Sequence, residues 1–520
     1  MKQTERWKPA LLCLPNAIAL LAALFMLCAL PLVFNDQFFD INRIKVLWVL
    51  RVVPVLGVAM LAALFVRWVA CKALCRINRD VWAVLLAQWG FIIACVIACA
   101  MTGFAQETLT GSEGRYCGLY FLLCCAVAYT VIVLGDLHGQ VISLLAGVVA
   151  CVCSILGVLN VLGVDPLGFY VGIQKSQRAL FVSTIGNVDF FGAYLSLLFP
   201  LCVGQAVFQK NRWLRWLFGV FSVCCALGIA ASRSDCAFAA MQLSCLALLA
   251  LSGDRFEHMF RIFVLWALCF LALPVVEALL PFSLFQIRLS GVMLLLCRLH
   301  IPQAGAALCA AGALACRVLA RWDCAAPGRN RLLRIVLTFC LLVVLFMLSA
   351  IYYFTFVDFQ SDLGTAETLL RFNDEWGTRR GFVYRRALRA FADYTPVQKL
   401  LGRGLDLTER ILTPYFDNPK MLAYGVFNDA HNQVLQFLLT SGLLGACAVV
   451  AFHLLSLRAF FKRAGQDPIL CGAFASLFGY TLTAMLSVTQ PILLAVYVSI
   501  SALGASRLCH VLNRGESLES

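Results

Sequence analysis

The sequence predicts an all-α integral membrane protein of about 12–14 transmembrane helices with one large, partly helical extracytoplasmic loop. Three observations predict it. Of the 520 residues, 62% are hydrophobic and only 13% are charged, where a soluble chain carries about a quarter charged. Apolar runs such as Ala10–Phe34 and Leu332–Phe354 exceed the ~18 residues that read as a membrane span, and in lipid each must pair its backbone internally as a helix. One connection, 355–430, is far longer and more polar than the rest.

Met1–Lys8 precedes some 25 mostly apolar residues, longer than a signal-peptide core, and reads as the start of an uncleaved first span. Spans follow near 10–34, 46–70, 81–103, 118–135, 141–163, 190–208, 214–231, 236–252, 262–281, 303–320, 332–354, 432–456, 469–488 and 491–511. In 282–303, Arg288, Arg298 and His300 interrupt the apolar run, which suits an interfacial or re-entrant piece. With the N-terminus inside, the inner loops hold Lys72, Arg76 and Arg79; Lys210, Arg212 and Arg215; Arg255 and Arg261; Arg321, Arg329, Arg331 and Arg334; and Arg458, Lys462 and Arg463. This is the positive-inside bias, and it places both termini in the cytoplasm. It also accounts for the net charge of +14 without nucleic acid as a partner. The 25 cysteines, among them Cys124 and Cys125, Cys151 and Cys153, and Cys224 and Cys225, sit mostly inside apolar runs, where they act as small hydrophobes. They form no metal pattern and no disulfide framework, with Cys117 marginal at most.

The chain divides into N-terminal spans over 1–180, a transmembrane core over 181–354, the outer loop 355–431, and C-terminal spans with a cytoplasmic tail over 432–520. Loops beyond ~15 residues in a compact protein are usually functional. In this one, ten basic and ten acidic residues balance. Phe382, Leu388 and Phe391 alternate with Arg385, Arg386 and Arg389, a spacing that suits an amphipathic helix on the membrane surface.

Topology sorts the six histidines. His138 and His258 fall in inner loops, His453 and His510 near inner span ends, and His300 in the interrupted stretch. His431 alone lies on the outer side, where the loop re-enters the membrane. It stands in Asn428-Asp429-Ala430-His431-Asn432, followed nine residues later by Gly442-Leu443-Leu444-Gly445. A His-Asn pair, a nine-residue spacer and Gly-x-x-Gly resembles the pattern of the O-antigen ligase superfamily. Four further segments, together spanning about 190–450, are similar to that family in the family's order. Gly186-Asn187-Val188-Asp189 resembles its Gly-Asn-Pro-Asn stretch, and Ala231-Ser232-Arg233-Ser234 its Ser-Arg turn. Arg380-Gly381-Phe382-Val383-Tyr384 resembles its Arg-x-x-x-Trp segment, and Leu401-Gly402-Arg403-Gly404 its Leu-Gly-x-Gly turn. Val188, Asp189 and Tyr384 depart from the usual residues.

The resemblance implies a GT-C-like, metal-independent and cofactor-free glycosyltransferase of polysaccharide and cell-envelope biosynthesis. Its donor would be a glycan on a polyprenyl diphosphate such as undecaprenyl diphosphate, and its acceptor a glycan, lipid or protein hydroxyl on the outer face of a bacterial cytoplasmic membrane. Breaking a sugar–phosphate bond builds charge on the departing pyrophosphate, which the planar Arg fork holds well. Arg233, in a short outer turn, is expected to bind that group. Read alone, it would be an arginine snorkelling to headgroups. Arg380 and the adjacent Arg379 are expected to help, although both also read as a solvated basic face. His431 is expected to take the acceptor proton. Asp429 either orients His431 or caps a helix; Asn432, Asn187 and Asp189 read as supporting residues. Gly442 and Gly445 read as close helix packing.

A ligase and a polymerase of the same donors share these motifs. A transporter or flippase of lipid-linked sugars would need neither the outer His beside outer Arg residues nor the long loop, and would show broken or charged spans in paired halves. The topology has a direct test. Tags at residues 1 and 520 should resist impermeant reagents, while Gln360→Cys should gain outside labelling over the unsubstituted protein; outside exposure of either terminus would invert the arrangement.

Overall fold

The computed structural model describes residues 2–72, 77–285, 289, 291–416, 427–465 and 467–519. Arg76, Arg288 and the loop residues 417–426 lie outside the described residues. The protein is an all-α multi-pass membrane protein. Twelve described helices are long and apolar enough to cross a membrane: Leu11–Leu32, Ile41–Cys71, Arg79–Ala100, Gln140–Val161, Val188–Phe208, Arg212–Ser232, Phe256–Phe282, Ile301–Arg321, Arg329–Val357, Gln433–Phe461, Pro468–Leu486 and Pro491–Leu512. Two shorter apolar helices, Leu119–Leu134 and Asp235–Leu251, occupy the remaining two expected spans. At 1.5 Å per residue each is about 25 Å long, short of a ~30 Å hydrocarbon core. Both can be short because they pack inside the bundle rather than against lipid: Phe121, Cys125 and Tyr129 of one, and Ala240, Met241 and Leu248 of the other, are buried.

Val188–Phe208 and Pro491–Leu512 form the centre and are almost wholly buried, whereas Arg329–Val357 is the least buried of the twelve. The loops alternate between two ends. At one end Asp467 pairs with Arg507, Asp136 with His510 and Asp80 with Lys462, at 2.8, 2.6 and 2.6 Å. Gly328 donates to the Gly253 carbonyl there. This is the end with the short basic loops, and Trp68, Trp82, Trp213, Trp216 and Trp322 are exposed near it, as an interfacial aromatic belt requires.

At the other end lie the connections around 101–118, 162–187, 233–234, 283–300, 358–432 and 487–490. Among its described residues the interrupted stretch here holds the eight-residue helix Gly291–Arg298, too short to span. The Asp235 carboxylate caps it, accepting from the Val292 and Met293 amides at 3.2 and 2.9 Å. An antiparallel pair, Phe181–Val182 with Gly186–Asn187, leads into the central helix. Asn187 caps that helix by accepting from the Asp189 amide at 2.8 Å.

The long loop is partly helical, as expected, with helices Trp376–Ala392, Pro396–Leu401 and Thr408–Leu412. Most of the apolar face of its basic helix is covered by protein, although Leu388 stays exposed. Phe382, Val383, Ala387 and Ala390 turn into a small core of the loop itself, together with Leu407, Ile411 and Leu412. Arg386 covers the Phe382 ring at 4.0 Å and pairs with Asp374 at 2.7 Å, so the positive face is partly neutralised within the loop. A heptad-like apolar stripe cannot tell a lipid partner from a protein one.

Gly442 is not a packing residue of a straight helix. It breaks Gln433–Phe461 with φ 68°, and the Leu401-Gly402-Arg403-Gly404 turn docks into the break. The amides of Arg403 and Gly404 donate to the Leu439 and Thr440 carbonyls at 3.2 and 3.0 Å, carbonyls the kink has freed. A Cβ at Gly442 would meet the Leu400 carbonyl, and one at Gly402 (φ 81°) the Thr440 carbonyl. Both have ψ near −169°, a region essentially reserved to glycine, where a side chain alone costs about 1–3 kcal/mol, and the backbone collision adds to it. Gly442→Ala and Gly402→Ala are therefore each expected to lower the melting temperature in detergent by several degrees. Gly90→Ala, whose Cβ meets nothing within 4 Å, should leave it unchanged; equal melting of all three would refute the docking.

Candidate active site

The kink and the docked turn place the loop's re-entry point, 429–432, at the outer end of the bundle. Asn432 caps the 433–441 segment, its Oδ1 accepting from the Leu435 amide at 3.0 Å. Asp429 accepts from the His431 amide at 2.6 Å through Oδ1, holding His431 in the left-handed conformation (φ 52°). The Asp429 carboxylate thus fixes the His431 backbone, and the helix cap falls to Asn432. The Tyr384 hydroxyl, near Asn432, lies 3.0 Å from the His431 carbonyl and 2.8 Å from that of Met485. The Tyr in place of the family's Trp thus ties the loop helix to the re-entry point.

Under this turn lies an ion network that sequence reasoning did not find. Arg115, Asp406 and Asp429 are buried. Arg115 Nε donates to Asp406 Oδ1 at 2.7 Å, Nη1 to Asp429 Oδ2 at 2.6 Å and Nη2 to the Thr489 carbonyl at 3.2 Å. The other Asp406 oxygen accepts from the Ser112 amide and hydroxyl and the Cys117 amide, and the Thr489 amide donates to Asp429. Burial alone would lower the Arg115 guanidinium, but Asp429 and Asp406 outweigh it and hold it above its ordinary value. Desolvating three charges is tolerable only when all are hydrogen-bonded, and here they are. The one sequence sign was a lone Arg in the outer turn after Gly111-Ser112-Glu113-Gly114.

Arg233 is different. It ends Arg212–Ser232 in a left-handed conformation (φ 58°), and its Nη2 donates to the Ala179 carbonyl. Its Nε is buried with no hydrogen-bond partner among the described residues. Burial pushes this guanidinium below its ordinary value, while Asp189 and Tyr170 oppose it. Asp189, in the first turn of the central helix, thus lies within electrostatic reach of Arg233, and also of His431. Arg380 opens the regular part of the loop helix, after three left-handed residues at 377–379. Its Nε donates to the Leu486 carbonyl and its Nη1 to that of Gly377, both at 2.6 Å. It lies within electrostatic reach of His431, Asp235 and Tyr384. Arg379 is exposed in a left-handed turn.

Burial pushes the His431 imidazole below its ordinary value, with Arg380 and Arg115 adding to burial and Asp429 and Asp189 opposing it. No hydrogen-bond partner for its ring nitrogens occurs among the described residues. Other histidines are engaged. His453 is not near a span end but inside the bundle, with its ring nitrogens 2.9 Å from Tyr497 Oη and Thr481 Oγ. His510 pairs with Asp136, and His258 packs on Phe208. The structure thus sets Asp189 within electrostatic reach of both Arg233 and His431, and Arg380 within reach of His431, from four separate elements. It gives Asn187, Asn432 and Asp429 structural duties around them and leaves Arg379 at the rim. Asp235 is a neighbour the sequence reading had not selected. No cluster of three or more metal-ligating side chains occurs among the described residues.

No curated protein matches the chain. The family model described as O-Antigen ligase matches residues 287–450, a segment that holds Arg380, the outer loop, His431 and the Gly442 break, so this region is similar to the O-antigen ligase superfamily that its motifs indicated.

Proposed function

We propose that the protein transfers a glycan from a polyprenyl diphosphate to an acceptor hydroxyl at the outer face of a bacterial cytoplasmic membrane, with both termini in the cytoplasm. The match over 287–450 supports a ligase- or polymerase-type glycosyltransferase in general terms. The finer reading rests on Arg233. A buried guanidinium nitrogen without a partner costs about 1–3 kcal/mol, and an anion completing its fork removes that cost. Arg115, a few residues from the same site, has every edge filled by protein and fits a structural duty instead.

In this reading the diphosphate lies between Arg233 and Arg380. The acceptor oxygen attacks the anomeric carbon, its proton passes to a ring nitrogen of His431, and the sugar–phosphate bond breaks. The electron pair leaves on the carrier pyrophosphate, whose charge the two guanidinium groups stabilise. His431 suits the base: its depressed pKa keeps it unprotonated at neutral pH, and its ring is not committed elsewhere. Asp189, within electrostatic reach of Arg233 and of His431, opposes the effect of burial on both and keeps the site from becoming purely cationic. Residues 329–357 expose a long apolar helix face at the membrane, compatible with a donor that arrives through lipid.

Two outcomes test the reading. His431→Ala should lower single-turnover transfer by about 10²–10⁴-fold while donor binding, measured separately, stays nearly unchanged; His431→Gln should be nearly as slow. Because the folded pKa of the free protein is lowered, the base form persists below the ordinary ~6.5, so the acid limb of kcat/KM should fall below that pH. A limb above it, or full activity of the variants, would remove His431 from the chemistry.

Arg233→Ala should weaken donor binding with little loss of folded protein, since it sits at a helix end. Arg233→Lys should restore only part, because an ammonium cannot make the two-pronged contact. Full rescue by Lys would reduce the role to bulk charge.

A further inference from the structure

Beside the ion network, the outer end holds a cavity of about 1160 Å³. One wall is the 101–113 turn with its short helix Ala105–Thr110; the other is the loop segment 395–414. His431, Arg233 and Arg380 do not line it. Asp406 does, and its carboxylate holds Arg115, whose other arm holds Asp429, two residues before His431. The cavity and the candidate active site therefore share one rigid wall.

The lining has a definite chemistry. Arg410 donates through Nε and Nη2 to the two oxygens of Glu107, the first at 2.7 Å, and its guanidinium lies 4.5 Å from the centre of the Phe104 ring. Carboxylate, guanidinium and ring form a preset polar–apolar platform. Of the other charges, Asp406 is consumed by Arg115, leaving the exposed Glu113, Glu409 and Arg403. The balance is anionic, with flat hydrogen-bonding groups and a partly exposed ring. Such a surface suits the hydroxyls and the apolar face of a sugar, and it repels phosphate or uronate. The volume exceeds the roughly 300–1,000 Å³ that holds drug-sized ligands, which fits an oligosaccharide rather than a single sugar.

We propose that this groove binds a neutral segment of the acceptor glycan, distal to the reacting hydroxyl. It holds the chain while the shared Asp406–Arg115–Asp429 wall fixes the groove relative to His431. The proposal rests on the transferase reading for the word acceptor, but not for the binding itself.

The test is a binding titration of the purified full-length protein in lipid nanodiscs, followed by saturation-transfer NMR and calorimetry, with no donor present. The probes are a single neutral hexose, a linear neutral hexasaccharide and a hexauronate. The neutral hexasaccharide should bind, and more tightly than the monosaccharide or the hexauronate. Glu113→Gln with Glu409→Gln should weaken it by roughly tenfold, the effect of losing a hydrogen bond to a charged group. Glu113→Lys with Glu409→Lys should shift preference toward the hexauronate, at an unchanged melting temperature. Absence of neutral hexasaccharide binding, preference of the unsubstituted protein for the hexauronate, or indifference to both double variants would overturn the proposal. If binding behaves as expected while transfer is absent in the His431 assays, the groove stands and the transferase reading falls.

Discussion

Arg115 sits where water does not reach, and all of its donor edges must be met there. Meeting them draws in Asp406 from the long loop, Asp429 from the re-entry point and the Thr489 carbonyl from the turn between the last two spans. Removing either aspartate would leave a buried charge short of its partner, a loss of about 3–5 kcal/mol. Three connections far apart in the sequence, one of them gripped at two points, are thereby held to one geometry. The His431 turn, the cavity between 101–113 and 395–414, and the docked glycine turn all hang from it.

The glycine docking complements this charge network through the backbone. Irregular backbone at the depth of a membrane protein survives only where other protein groups pair it. The break at Gly442 frees the Leu439 and Thr440 carbonyls, and the 402–404 turn supplies the amides. Only residues without a Cβ allow the two backbones so close. The His-Asn, spacer and Gly-x-x-Gly pattern thus acquires a physical meaning. The spacer is a short helical segment capped by Asn432 at one end and broken at Gly442 at the other.

Two arginines at the same end of the bundle show opposite accounting. Arg115 is saturated by protein and serves rigidity. Arg233 retains a buried, unpartnered Nε, a local deficit that stable folds avoid and functional sites tolerate. His431 repeats the pattern: other histidines pack or pair, while its ring stays uncommitted in a partly buried, mixed-charge setting.

The sequence alone determined the spans and the alternation of their loops, because lipid imposes a rule that composition and length express locally. It also singled out His431, Arg233 and Arg380, through short motifs at loop–helix junctions. Other features depended on partners distant in the chain, and only the tertiary structure decided them. Arg115 and Asp406 lie 291 residues apart, and neither has a local signature of pairing. The amphipathic stripe of 380–391 offered an apolar face without saying that Leu407, Ile411 and Leu412 would cover it. Gly442 read as a packing residue because a left-handed φ leaves no trace in a glycine's neighbours. His453 read as lying near a span end, and its burial came from Tyr497 and Thr481 on two other helices. Periodicity records which face of an element is apolar; what that face meets is settled by the convergence of elements the chain reaches much later.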